Sequence, residues 1–203
     1  MSSHYKKACF LLSVAEMHQL PPDQGTEVAM VGRSNAGKSS VLNRITQTKG
    51  LARVSKTPGR TQLINVFTVD ESRRLIDLPG YGFAKVPLAA KLKWQKTVDQ
   101  YIDTRESLKG LVLIMDIRHP LKDLDIQLLA YCDTRGLPVH LVLNKADKLS
   151  RGAAVSTMTA VKAALVDYRN PITFQTFSAL KGTGIEQLHS LLDKWYGYSK
   201  SNE

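Results

Sequence analysis

Short apolar runs alternate along the chain with longer stretches in which apolar side chains recur at helical spacing. The runs at 7–13, 27–31, 62–69, 73–77, 110–116, 139–143 and 172–177 predict strands, the first of them buried. Segments 38–47, 88–106, 123–135, 153–168 and 184–196 predict helices. In the second of these, Trp94, Val98, Tyr101 and Ile102 share one face while Lys93 and Lys96 point the other way. Asp70-Glu71-Ser72 turns 62–69 back onto 73–77 as a hairpin. The unbroken apolar runs at 110–116 and 139–143 suit a sheet covered on both faces. Strands alternating with helices predict an α/β three-layer sandwich with a mostly parallel sheet and one antiparallel edge hairpin. No repeat or linker divides the sequence, so a single domain over 1–203 is expected, with a frayed tail at 199–203. Ile185, Leu188, Leu191, Leu192, Trp195 and Tyr196 read as a core stripe rather than a stacking platform.

Composition changes this picture in one respect. A hydrophobic share of 43% and a charged share of 23% are ordinary for a globular chain, but a net charge of +10 is not. It points to a polyanionic partner, above all nucleic acid. Cys9 and Cys132 lack any paired spacing and read as reduced thiols in a cytoplasmic protein. The apolar run after Lys6-Lys7 is short and closed by Glu16, which argues against a leader. No stretch approaches the ~20 apolar residues of a membrane span, so no membrane insertion is expected. Without a coiled-coil or dimer stripe, a monomer is the default.

The chemistry concentrates first in Gly32-Arg33-Ser34-Asn35-Ala36-Gly37-Lys38-Ser39, the pattern G-x-x-x-x-G-K-S. It follows a predicted strand and opens a predicted helix, the context a phosphate-binding loop requires. Gly32 and Gly37 allow close approach and backbone angles that a Cβ blocks. The loop amides then converge on phosphates at a helix N-terminus. Lys38 is expected to reach the β- and γ-phosphates as a catalytic residue, and the Ser39 hydroxyl to ligate Mg²⁺.

Asp77-Leu78-Pro79-Gly80 stands about 40 residues further on, after the hairpin. Asp77 is expected to hold Mg²⁺ through water, and the Gly80 amide to meet the γ-phosphate. Asn144-Lys145-Ala146-Asp147 follows the strand at 139–143. An ionised Asp147 accepts from the ring N–H and exocyclic amine of guanine, donors that adenine does not present there. The Lys145 stem covers the base plane, and Asn144 ties this loop to the phosphate loop. Phe177-Ser178-Ala179 completes the set, with the Ala179 amide expected to donate to the guanine carbonyl. All four segments lie at the C-terminal ends of strands, where open α/β sheets bind ligands. GTP or GDP is therefore the expected ligand, and the base motif opposes an ATPase.

These four motifs, in this order, resemble the Ras-like P-loop GTPases. Gly32–Ser40 as GRSNAGKSS, Lys56–Asn65 as KTPGRTQLIN, Asp77–Val86 as DLPGYGFAKV and Asp116–Asp125 as DIRHPLKDLD resemble more closely the bacterial EngB family, also called YihA or YsxC. The resemblance covers essentially the whole chain. It implies a Mg²⁺-dependent GTPase for assembly of the large ribosomal subunit, needed also for normal cell division and septation. It further implies that Gly59, Arg60, Thr61, Gln62 and Leu63 form the effector stretch over the phosphates. Thr61 would join Ser39 on Mg²⁺ and act in catalysis with Lys38 and Gly80, with Thr57 as the competitor for the metal role. Asn144 stands where many members carry Thr, a departure that leaves guanine specificity intact.

Tyr81 stands where Ras-type proteins place a water-positioning Gln, so slow intrinsic hydrolysis is expected. Asn35 stands where GTPases resembling MnmE bind K⁺ beside the phosphates; plain loop geometry explains an Asn there equally well. Loops 48–61 and 80–87 are expected to loosen without γ-phosphate. They carry Arg53, Lys56, Arg60 and Lys85, expected to form a basic surface for ribosomal RNA on the large subunit; solvated loop charge is the alternative reading. His119 is read as turn geometry before the helix at 123, with a contact to the second loop as the alternative. The alternative to a ribosome-assembly GTPase is a GTP-dependent interaction protein at the division site with incidental hydrolysis; such a scaffold would not require the charge.

Overall fold

The computed structural model describes residues 4–52, 63–82 and 88–198. Its strands are β1 (Cys9–Val14), β2 (Thr26–Gly32), β3 (Ile64–Thr68), β4 (Arg73–Asp77), β5 (Leu108–Asp116), β6 (Val139–Asn144) and β7 (Thr173–Thr176). Its helices are α1 (Lys38–Ile45), α2 (Leu88–Thr104), α3 (Asp123–Thr134), α4 (Arg151–Ala164) and α5 (Ile185–Tyr196). The seven strands form one sheet in the order β1-β3-β4-β2-β5-β6-β7. β3 runs against both its neighbours, and every other pairing is parallel. The β3–β4 hairpin is present, and β1 continues the sheet beyond it.

The central strands are buried along nearly their whole length, which explains their unbroken apolar sequences. One face packs Val98 and Tyr101 of α2, Leu128 and Leu129 of α3 and Val161 of α4. The other packs Val41 and Leu42 of α1 and Leu188 and Leu192 of α5. The α5 stripe thus belongs to the core, with Leu191 and Trp195 at its margin. Trp94 and Ile102 are buried, and Lys93 and Lys96 are exposed. Both cysteines are free, Cys9 exposed on β1 and Cys132 buried on α3. Among the described residues no helix is long and apolar enough to cross a membrane.

Two expectations need correction. β1 is an exposed edge strand rather than a buried one, and Phe10 and Leu11 face solvent. The buried anchor of the N-terminal segment is Tyr5, in a 3-10 turn before β1, whose hydroxyl donates to Asp193 at 2.7 Å. α4 begins two residues early, where Ser150 accepts the Ala153 amide at 3.3 Å, and stops at Ala164, where the Leu165 amide closes onto Lys162.

The lower end of β2 holds a charge that periodicity alone cannot flag. Glu27 is fully buried, yet it accepts Tyr101 Oη at 2.5 Å, Arg105 Nη2 at 2.5 Å and Nε at 3.1 Å, and Arg74 Nη1 at 3.2 Å. A buried carboxylate is tolerated only when so completely paired. This network fixes α2 and β4 against the start of β2.

Candidate functional site

Beyond the opposite, C-terminal ends of β2, β4, β5, β6 and β7, the four motifs converge. Gly32 closes β2 so near β5 that a Cβ there would lie 2.5 Å from the Ile114 carbonyl oxygen. Gly37 caps α1 with φ +94°, and a Cβ on it would lie 2.4 Å from Asn144 Nδ2. Both glycines therefore do what the loop pattern asks of them. Between them, Asn35 takes φ +65° and the Ala36 amide donates to the Arg33 carbonyl at 3.0 Å.

Asn144 ties the base loop to this turn, as expected. Its Nδ2 donates to the Ala36 carbonyl at 2.9 Å, and its Oδ1 accepts the Ala179 amide at 3.2 Å. The second bond gives the Ala179 N–H, the expected donor to the base carbonyl, a partner within the protein. Lys145 has φ +65°, and its Nζ donates to the Asn35 carbonyl at 2.7 Å while pairing with Asp116 at 2.9 Å. Asp147 accepts the Ser178 hydroxyl, and that bond holds its carboxyl below the usual range. The same hydroxyl oxygen accepts the Lys181 amide at 3.0 Å, so the Phe177–Ala179 segment orients the carboxylate. The Ala146 amide donates to the Phe177 carbonyl at 3.0 Å, locking the two loops together.

On the phosphate side, Asp77 is 4% exposed. One of its oxygens pairs with Lys38 Nζ and the other accepts Asn65 Nδ2 at 3.1 Å. Ser39 stands on the first turn of α1, half-buried, with its hydroxyl unbonded to any other described residue. Asp77 and Ser39 offer the hard oxygen donors that suit Mg²⁺, an ion held by one or two carboxylates together with substrate phosphates. Among the described residues there is no cluster of three or more acidic, His or Cys side chains, so a dedicated all-protein metal cage is not built here. The Leu78 amide donates to the Met30 carbonyl at 2.9 Å, Pro79 accepts the Trp94 indole at 2.6 Å, and the Gly80 amide has no partner among the described residues.

Gly59, Arg60, Thr61, Gln62 and the competitor Thr57 lie outside the described residues, as do Arg53, Lys56 and Lys85. Leu63 is half-buried just before β3. His119 sits in a turn, its amide donating to the Asp116 carbonyl at 3.0 Å.

Three contributors escaped the sequence reading: Asn65 on Asp77, Asp116 on Lys145, and the burial of Tyr81. Burial and a bond to Asp125 push the Tyr81 phenol well above its ordinary pKa. The charged run from Asp116 to Asp125, directly after an apolar strand, is the signal that marks two of them. Asp116 itself accepts the Arg118 guanidinium twice, at 2.9 and 2.6 Å, and this pairing, with Lys145, pulls its carboxyl far below the carboxylate range.

Comparison with known proteins gives this geometry its context. Residues 27–145 match the family model described as 50S ribosome-binding GTPase. The chain is 55% identical over 201 residues to the probable GTP-binding protein EngB of Pseudoalteromonas atlantica, covering 99% of this chain and 98% of that one. It is 57% identical over 192 residues to the protein of the same name from Colwellia psychrerythraea, covering 95% and 86%. Among solved structures, a probable GTP-binding protein engB superposes with a TM-score of 0.68 at 21% identity, covering 86% of this chain and 100% of that one. Era in complex with MgGDPNP and nucleotides of 16S ribosomal RNA superposes with a TM-score of 0.65 at 22% identity, covering 85% and 57%. Likenesses at that identity speak for the fold.

Proposed function

The chain belongs to the EngB family of GTP-binding proteins and hydrolyses GTP, and from that premise we propose that it is a Mg²⁺-dependent switch acting on the large ribosomal subunit during assembly. The observation that carries the ribosomal part is the match of residues 27–145 to a 50S ribosome-binding GTPase family. A net charge of +10 supports a partner made of RNA. A requirement for normal division and septation follows from the family resemblance.

In this reading the loop Gly32–Ser39 wraps the phosphates and Lys38 bridges the β- and γ-phosphates. Ser39, Thr61 and, through water, Asp77 would hold the metal. The Gly80 amide meets the γ-phosphate, and Asp147, held ionised by Ser178, pairs with the two guanine donors. When bound, Mg²⁺ supplies positive charge to the β- and γ-oxygens. Tyr81 has its hydroxyl turned to Asp125 and offers nothing to an attacking water, which supports slow intrinsic turnover. A K⁺ ion beside the exposed Asn35 side chain would add charge where an arginine finger acts elsewhere. Equal turnover in K⁺ and Na⁺ buffers would remove it from the account.

The decisive experiment is co-sedimentation with mature and immature large subunits, at low and moderate salt, with a non-hydrolysable GTP analogue, GDP or no nucleotide. Salt-sensitive binding only with the analogue supports the proposal. Absence of binding in every state refutes the ribosomal role and leaves a GTPase whose partner is sought at the division site.

A further inference from the structure

The residue that fails as a water-positioner is held in a way that suggests another task. Tyr81 is 3% exposed and clamped from three directions. Its backbone is stitched to the phosphate loop: its carbonyl accepts the Ser34 amide at 2.6 Å, and its amide donates to the Gly32 carbonyl at 3.3 Å. Its ring packs against Trp94 of α2 with centroids 4.7 Å apart, and Trp94 holds the neighbouring Pro79 carbonyl. Its hydroxyl donates to Asp125 of α3, a carboxylate with no solvent exposure whose second oxygen accepts the Lys122 amide at 2.8 Å. Gly80 sits inside this clamp, its N–H without a partner among the described residues.

We propose that the Tyr81–Asp125 bond is a latch that positions the Gly80 amide for the γ-phosphate, so that Tyr81 and Asp125 are positioning residues for GTP recognition and hydrolysis. The inference rests on the reading that Gly80 meets the γ-phosphate. It differs from an ordinary packing contact in three ways. A buried hydroxyl–carboxylate bond is directional, whereas ring packing alone lets the backbone slide. The latch acts on the same peptide segment that carries the donor. It also makes the segment a fixed floor through Tyr81, up to Gly82, which has φ +74°. A donor preorganised in this way needs no rearrangement when charge develops on the γ-phosphate. GDP, which lacks that phosphate, is indifferent to the latch.

The test compares Tyr81→Phe, Asp125→Asn and Gly80→Ala with the unaltered protein, using fluorescent GDP, a fluorescent non-hydrolysable GTP analogue and single-turnover hydrolysis. Tyr81→Phe is expected to keep GDP affinity within about twofold. Analogue affinity and the hydrolysis rate should each fall roughly tenfold, less than the ~10²–10³ loss from deleting a stabilising donor outright. Asp125→Asn, which keeps an acceptor for the tyrosine, should fall between the two proteins. A Cβ on Gly80 would lie 3.3 Å from the Gly32 carbonyl oxygen, so Gly80→Ala crowds the peptide that carries the donor and controls for the underlying reading. If it leaves the analogue and GDP equally bound, the γ-phosphate assignment of Gly80 is wrong, and the latch proposal falls with it. If Gly80→Ala weakens the analogue selectively while Tyr81→Phe and Asp125→Asn do not, the latch alone is refuted. Equal losses of GDP and analogue in both latch variants would show that the pair only holds the fold, and would also overturn it.

Discussion

The two ends of β2 handle charge in opposite ways. At its start, Glu27 receives four hydrogen bonds from Tyr101, Arg105 and Arg74. A carboxylate has about four acceptor sites, so nothing remains for a ligand. Past its end, the polar groups are oriented without being saturated. Lys38 pairs with Asp77, but an ammonium has three donors. The Ser39 hydroxyl and Gly80 amide have no partner among the described residues. One strand thus carries a closed network that only stabilises and an open one that still has bonds to make. Buried charge alone does not mark a functional site; spare bonding capacity in a held geometry does.

The largest effect is expected at the open end. Asp147→Asn puts an amide N–H₂ where guanine also presents donors, so GDP affinity should fall by roughly 10³-fold or more. Xanthosine diphosphate, with an acceptor in place of the exocyclic amine, should recover much of the loss. Calorimetric titration with both nucleotides checks this, and the unliganded melting temperature should hardly move. A large melting shift would mean that the two ends of β2 are not as distinct as their bonding suggests.

The complementary change is Glu27→Ala. Removing one partner of a buried ion network leaves Arg105 and Arg74 uncompensated, at a cost of about 3–5 kcal/mol. For a chain of this size that lowers the melting midpoint by roughly 10 °C. GDP affinity measured well below the midpoint should stay within about twofold. An equal loss of affinity would show that the closed network reaches the nucleotide site.

β6 repeats the contrast with a titratable group. It begins near His140 and ends at Asn144 in the site. His140 Nε2 faces Gln175 Oε1 at 3.1 Å and Nδ1 faces the Thr173 hydroxyl at 2.7 Å, with burial pushing the ring down to about 4 from 6.5. The unfolded chain therefore takes up a proton that the folded one refuses. Stability is fully present above pH 6.5 and declines as pH falls from 6.5 towards about 4. The loss is about 2–3 kcal/mol over that window. Denaturant titrations across pH should show this slope, and His140→Gln should flatten it.

Much of this was readable without coordinates, for definable reasons. β2, β5 and β6 are buried on both faces, so their apolar runs announce them. The phosphate and base loops are local in sequence, and their glycines meet steric demands set within a few residues or by one neighbouring strand. What escaped detection depends on distant partners. Glu27 looked like one polar residue at a strand's start, because Tyr101 and Arg105 lie more than 70 positions away. Tyr81 looked like a missing glutamine, because Asp125 lies 44 positions on. β1 looked buried because its composition is apolar, but an edge strand can leave Phe10 and Leu11 in solvent.

The smallest expected effect separates two cations that share Asp116. Arg118 chelates it at 2.9 and 2.6 Å, and Lys145 reaches it at 2.9 Å. By distance the arginine pair is the better one. Its side chain is 43% exposed, however, and among the described residues it hydrogen-bonds to neither the phosphate loop nor the base loop, whereas Lys145 also holds the Asn35 carbonyl at 2.7 Å. Exposed pairs are weakened by salt and by the entropy of holding a long side chain. Arg118→Ala should therefore change the GDP dissociation rate by less than about twofold at physiological salt, while Lys145→Ala, which unties the two loops, should speed it by roughly tenfold or more. Stopped-flow chase of a fluorescent GDP reads both. Equal acceleration by the two changes would mean that the orientation of Asp116, rather than the reach of Lys145 to the phosphate loop, keeps the nucleotide in place.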